Sequence, residues 1–215
     1  MIDLPKVYPI TDIKISGLSH ADQLAELSVG GATFVQLREK NLSPVEFFHE
    51  ATAAVELARS RNVRVIINDR ADIAFALRAD GVHLGQDDLP PEAARKILGN
   101  DAIIGFSTHN LAQARRATSL PIDYLAIGPI FPTGTKSDTE PAVGLKGLHV
   151  VREAVGDFPI VAIGGITLAS APAVLDAGAT SVALISALLS DPHSTAEMLR
   201  NLLATLKWPQ INLPN

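Results

Sequence analysis

Short aliphatic runs rich in β-branched residues alternate with longer helical stretches along the whole chain, and the alternation completes eight rounds. The expected strands are residues 7–12 (VYPITD), 33–38 (TFVQLR), 64–69 (RVIIND), 81–85 (GVHLG), 102–107 (AIIGFS), 124–130 (YLAIGPI), 159–165 (PIVAIGG) and 181–186 (SVALIS). The expected helices cover 21–28, 44–60, 73–77, 91–98, 111–118, 145–154, 168–177 and 195–206. The second is the best marked. Ser43 stands at its N-cap, Pro44 at its first position, and Phe47, Ala51, Ala54, Val55 and Ala58 recur at helical spacing. Eight βα units in 215 residues predict a (β/α)8 TIM barrel, a single α/β domain over residues 1–215. Residues 207–215, with two prolines, read as an irregular tail. A doubly wound open sheet alternates in the same way; the count of eight and the glycines closing several strands favour the barrel.

Composition fits such a core. Apolar residues make up 47% of the chain but aromatics only 5%, which suits helices packed on aliphatic parallel strands. The absence of cysteine excludes disulfides and thiolate metal sites. A net charge of −5 without a basic block argues against nucleic-acid binding. The first residues lack a basic stretch followed by an apolar one, and no apolar run approaches the roughly 20 residues that span a bilayer. The expected setting is the cytoplasm, with no membrane partner; homo-oligomerisation is left open.

In a barrel, chemistry gathers at the C-terminal ends of the strands. Strand two ends in QLREK, and Gln36, Arg38 and Lys40 share one face if the chain stays extended. A buried arginine needs a partner, and pairing with an acid of a neighbouring strand would explain Arg38 without chemistry. Strand three ends in Asn68 and Asp69, and Asp88 follows strand four. Two carboxylates on adjacent strand ends, with room for water and phosphate oxygens, suit Mg2+. Helix capping would explain either one alone. Ser107 ends strand five, with Asn110 the better cap for the next helix and His109 a loop histidine without an assigned role.

The strand-six exit reads GPIFPTGTK, where Thr133, Thr135 and Lys136 make a donor-rich lip suited to phosphate. An ordinary surface loop would have the same style. Gly164 and Gly165 close strand seven, and Ile185 and Ser186 close strand eight. Barrels bind phosphate with backbone amides of these loops, although one glycine alone could be a tight turn. No Ser-His-Asp set, thiol or evident general base lies between these centres. That pattern suits a reaction ruled by charge stabilisation, such as displacement of diphosphate.

The chain resembles the thiamine-phosphate synthase family in the segments QLREK (36–40), IND (67–69), ADGVHLGQDD (79–88), IGFSTH (104–109), DYLAIGPIFPTGTK (123–136), PIVAIGGI (159–166) and ALISAL (183–188). The resemblance implies a barrel enzyme that joins hydroxymethylpyrimidine diphosphate to hydroxyethylthiazole phosphate and releases diphosphate. It places the pyrimidine diphosphate against Gln36, Arg38, Lys40, Asn68, Ser107 and Lys136, and Mg2+ on Asp69 and Asp88. It places the thiazole phosphate against Thr133, Thr135, Gly165, Ile185 and Ser186. The implied mechanism is dissociative, with Arg38, Lys40 and Lys136 stabilising the departing charge and the thiazole nitrogen capturing a pyrimidine-methyl cation. Residues 137–144 have no clear counterpart.

Two rivals share the fold. A thiazole tautomerase would resemble this chain in the VHLGQ region but carries a histidine where Pro129 stands; Asp69, Asp88 and PTGTK favour the synthase. A regulatory phosphate-binding barrel would be expected to have lost the carboxylate pair or the cations, and both are present.

Overall fold

A computed structural model describes residues 2–133 and 141–207. Eight parallel strands close into a barrel in chain order: β1 Val7–Thr11, β2 Phe34–Leu37, β3 Arg64–Asn68, β4 Gly81–Leu84, β5 Ile103–Thr108, β6 Tyr124–Ile127, β7 Ile160–Ile163 and β8 Ser181–Leu184. Closure comes from β1 on β8, with Val7 opposite Val182 and Tyr8 opposite Ala183. The open-sheet alternative is thereby excluded.

The helices are α1 Ile13–Ser16, α2 His20–Val29, α3 Pro44–Ser60, α4 Ala71–Leu77, α5 Pro91–Leu98, α6 Leu111–Ala117, α7 Gly144–Val155, α8 Ala171–Asp176, α9 Ser186–Leu189 and α10 Thr195–Lys207. α3 shows why the pattern was legible. Its capping box is complete, with Ser43 accepting from the Glu46 amide and Glu46 accepting from the Ser43 amide. Phe47, Ala51, Ala54, Val55 and Ala58 are its buried residues. The alanines let the helix axis approach the sheet closely, and the opposite face is mostly polar, with Val45 an exposed exception.

Most strands end one to three residues before the sequence suggests. β2 stops at Leu37, β3 at Asn68, β6 at Ile127 and β8 at Leu184. At these ends the chain leaves the ladder to form the rim, so polar residues that continue a strand pattern become loop residues. α1 and α9, one turn each, were not anticipated; periodicity cannot show in four residues. Among the described residues no helix is long and apolar enough to cross a membrane.

Candidate active site

The barrel interior is aliphatic with one polar seam. Tyr8 on β1 and Tyr124 on β6 lie on strands that are not neighbours, yet their hydroxyls are 2.9 Å apart, so the contact crosses the barrel. Gln36 Nε2 donates to the Tyr8 hydroxyl (3.0 Å). The Tyr124 hydroxyl meets His83 Nδ1 (3.0 Å), and His83 Nε2 meets Ser107 Oγ (2.9 Å). One consistent set of directions runs through the seam: Gln36 to Tyr8, Tyr8 to Tyr124, Tyr124 to His83, and His83 to Ser107. Burial pushes both tyrosine pKa values up, so both hydroxyls stay protonated donors. Gly105 makes the seam fit, because a Cβ there would lie 2.1 Å from the Tyr124 ring and 2.5 Å from His83 Nδ1. The seam joins Gln36 to Ser107, two residues expected to bind one substrate.

At the C-terminal ends of β2 to β4 the charged groups converge. Since β2 ends at Leu37, strand alternation does not carry Gln36, Arg38 and Lys40 onto one face; that expectation is corrected. Gln36 points into the barrel and is buried, whereas Arg38 and Lys40 reach their places from the loop. Arg38 Nη1 pairs with Asp12 at the end of β1, with the two side chains 12% and 9% exposed. The structural explanation for Arg38 is therefore present, and it stands at the rim as well. Lys40 Nζ pairs with Asp69, the lysine half exposed.

Asp69 adopts φ 62°, the left-handed region that Asp tolerates better than most residues. Its amide donates to the His83 carbonyl (2.8 Å), which ties the end of β3 to β4. Burial raises the Asp69 pKa above the usual carboxylate range; Lys40 pulls it back down, and the adjacent Asp88 pushes it up again. Asp88 accepts from the Gly85 amide (2.7 Å). Neither acid caps a helix: α4 and α5 have Arg70 and Pro90 at their N-caps, without side-chain cap bonds. Asn68 Nδ2 is buried with no hydrogen-bond partner. A buried donor left open at the end of β3, next to Asp69 in the chain, suits a ligand oxygen.

The other half of the rim holds a cavity of about 1040 Å3 at the ends of β5 to β8. Ser107, Thr133, Gly165, Ile185 and Ser186 all line it, as does Pro129. Thr135 and Lys136 lie outside the described residues. Gly165 has φ 66°, and a Cβ on it would come 2.7 Å from the Phe131 and Pro132 carbonyls. The tight turn alone thus demands glycine here, whatever the cavity binds. His109, to which the sequence assigns no role, places Nδ1 2.9 Å from the Gly128 carbonyl and lines the same cavity. Asn110 does cap α6, accepting from the Gln113 amide.

Residues 7–188 fit the family model described as thiamine monophosphate synthase. The chain belongs to the thiamine monophosphate synthase family. As a member of it, the chain is a transferase. The thiamine-phosphate synthase of Chloroflexus aurantiacus is 45% identical over 202 residues, covering 93% of each chain. That of Clostridium novyi is 44% identical over 200 residues, covering 92% of this chain and 98% of the other. Among solved structures, thiamine phosphate pyrophosphorylase from Pyrococcus furiosus superposes with TM-score 0.82 at 35% identity, over 94% of this chain and 97% of that one. A 3-hexulose-6-phosphate synthase, at 17% identity and TM-score 0.64, shares the fold alone.

In this synthase-family barrel, several site-forming residues escaped sequence reasoning. Tyr8, His83 and Tyr124 sit mid-strand, where only an inward polar atom distinguishes them from core. Gly105 inside the apolar run IIGFS was the one visible signal, since a strand glycine often marks a close approach. Asp12 continues the strand pattern of VYPITD, and Glu39 lies between two cations in QLREK, so neither stands out in the sequence.

Proposed function

We propose that this transferase joins hydroxymethylpyrimidine diphosphate to hydroxyethylthiazole phosphate by a dissociative route, in which the chain stabilises a departing charge and supplies no nucleophile. The bond from the pyrimidine methylene carbon to the diphosphate oxygen breaks, and diphosphate leaves with the electron pair. The aminopyrimidine disperses the resulting positive charge. The thiazole nitrogen then donates its lone pair to that carbon, giving thiamine phosphate.

The observation that carries this reading is the convergence at one rim of Arg38, Lys40, Asp69, Asp88 and the open Nδ2 of Asn68. Arg38 and Lys40 oppose the charge growing on the leaving group, and Asn68 offers it a donor. The Gln36 and Ser107 ends of the polar seam orient the pyrimidine. Thr133, Gly165, Ile185 and Ser186 take the thiazole phosphate in the adjoining cavity, where Gly165 and Ser186 leave room for approach to the backbone. Thr135 and Lys136 complete these two sets.

Among the described residues no three His, Cys, Asp or Glu side chains gather as a metal cage. A carboxylate pair does fit Mg2+, which keeps several waters and takes substrate oxygens rather than a full protein shell. Asp69, whose proton affinity is raised by burial and by the adjacent Asp88, also gains from a divalent partner. Asp69 and Asp88 would hold the ion, which when bound neutralises charge on the leaving diphosphate.

The partners in this reading are small molecules, with no nucleic acid or membrane, and the setting is the cytoplasm. The deciding experiment supplies both precursors with Mg2+ and follows thiamine phosphate and diphosphate together. Equimolar appearance of the two is expected. Conversion of the thiazole carboxylate tautomer without coupling would establish the tautomerase instead. Calorimetric binding without any product would leave a regulatory barrel.

A further inference from the structure

The β2–α3 loop carries Arg38 and Lys40, two of the cations of the proposed diphosphate site, and its successive amides are met by carboxylate side chains. Chain exits β2 at Leu37 and enters α3 at Pro44. Between them, Glu39 Oε1 accepts from three successive amides: Lys40 (2.7 Å), Asn41 (2.5 Å) and Leu42 (3.2 Å). The next amide, that of Ser43, goes to Glu46 (2.8 Å). Two carboxylates therefore satisfy four consecutive loop amides. The Glu39 side chain is only 3% exposed, although its two neighbours in sequence point to the rim. A carboxylate is costly to bury without such partners, and three converging N–H groups form a cradle for one.

The other Glu39 oxygen faces α2. His20 is fully buried there, with Nε2 3.8 Å from Glu39 Oε2. His20 Nδ1 meets the Thr11 hydroxyl (2.7 Å), and that hydroxyl donates to the Gln36 carbonyl (3.2 Å). Glu39 is thus wedged between the loop it gathers and a helix tied to the ends of β1 and β2. The consequence falls on Lys40. Its side chain is half exposed and would sample many rotamers, yet it is paired with Asp69. A long side chain is placed only as well as the backbone it springs from.

We propose that Glu39 is a positioning residue for the transfer reaction: by gathering the Lys40, Asn41 and Leu42 amides on one buried oxygen, it presets the Lys40 ammonium against Asp69 at the leaving-group side of the site. This rests on the reading of Lys40 as a leaving-group stabiliser. Glu39 does not touch substrate; it acts through the backbone of Lys40. Gln at this position keeps an acceptor oxygen for the amides and loses only the charge.

The test is a double-mutant cycle in single-turnover kinetics with both precursors and Mg2+, alongside thermal melts. Glu39→Ala should slow the chemical step about 10-fold or more, as expected for a displaced catalytic group. Glu39→Gln should recover most of that loss. In a Lys40→Ala background, adding Glu39→Ala should slow the reaction little further, because the group it positions is already gone. Should Glu39→Ala fail to fold, Glu39→Asp, which withdraws the carboxylate by one methylene, enters the same cycle with the same expectation. Losses that add in full overturn the proposal, as does a wild-type rate in Glu39→Ala when Lys40→Ala is slow. A wild-type rate in Lys40→Ala would remove the stabiliser reading itself, and the proposal with it.

Discussion

At the residue scale, Asp69 combines three demands. Its backbone is left-handed, its amide is tied to β4, and its carboxyl sits between Lys40 and Asp88. Asparagine meets the first two and fails the third, since it also tolerates the left-handed region. Asp69→Asn should therefore melt close to the parent while Mg2+-dependent turnover falls about 10²-fold, the scale of losing an electrostatic stabiliser. A Mg2+ titration of rate checks this, and an unshifted titration would count against the metal role. Asp12 makes a contrasting case. It accepts from the Ile15 amide at the start of α1 and pairs with Arg38. Removing it leaves a largely buried guanidinium unpaired, at a cost of about 3–5 kcal/mol. Urea denaturation of Asp12→Ala should show this loss, and Arg38→Met added to it should restore part of the stability.

At the element scale, β5 is shaped by what it lacks. Gly105 pairs with His83 on one side and Tyr124 on the other, and both side chains occupy the space a Cβ would take. Tyr124 cannot retreat, because its hydroxyl is held by Tyr8 across the barrel. Gly105→Ala should therefore destabilise by about 3 kcal/mol or more, at the upper end of overpacking. The accompanying break in the Tyr124–His83–Ser107 chain should raise KM for the pyrimidine substrate. A urea midpoint and steady-state kinetics on one preparation measure both. A variant with parental stability and KM would show that the seam yields more readily than its packing implies.

At the scale of the whole molecule, one buried group ties the fold to pH. His20 is enclosed between α2 and the barrel, and burial holds its pKa below the ordinary 6.5 against the opposing pull of Glu39, Glu50 and Asp12. The unfolded chain thus takes up a proton where the folded chain does not. The corresponding stability is complete above 6.5 and is lost as the pH falls through the depressed folded value. The melting temperature should be flat above 6.5 and decline as the pH falls from there through the depressed folded value. His20→Asn, which keeps a donor for Thr11 and removes the titrating ring, should flatten the decline. Parallel profiles for parent and variant would assign the acid sensitivity elsewhere.

Much of the architecture was legible because it is written locally. Period-two and period-3.6 patterns, the Ser43 cap and the terminal glycines act over a few residues, so eight βα units could be counted without coordinates. The residue types at the strand ends were legible for the same reason, since the fold class says where rims lie. Which of them meet was not. Tyr8 and Tyr124 touch across 116 residues of chain, Arg38 reaches back to Asp12, and Lys40 reaches forward to Asp69. Sequence alone settled the alternation, the kind of core and the chemistry available at one end of the barrel. Closure of β1 on β8, and the register that closure imposes, decided which side chains face each other inside it, because those contacts depend on where every other strand lies.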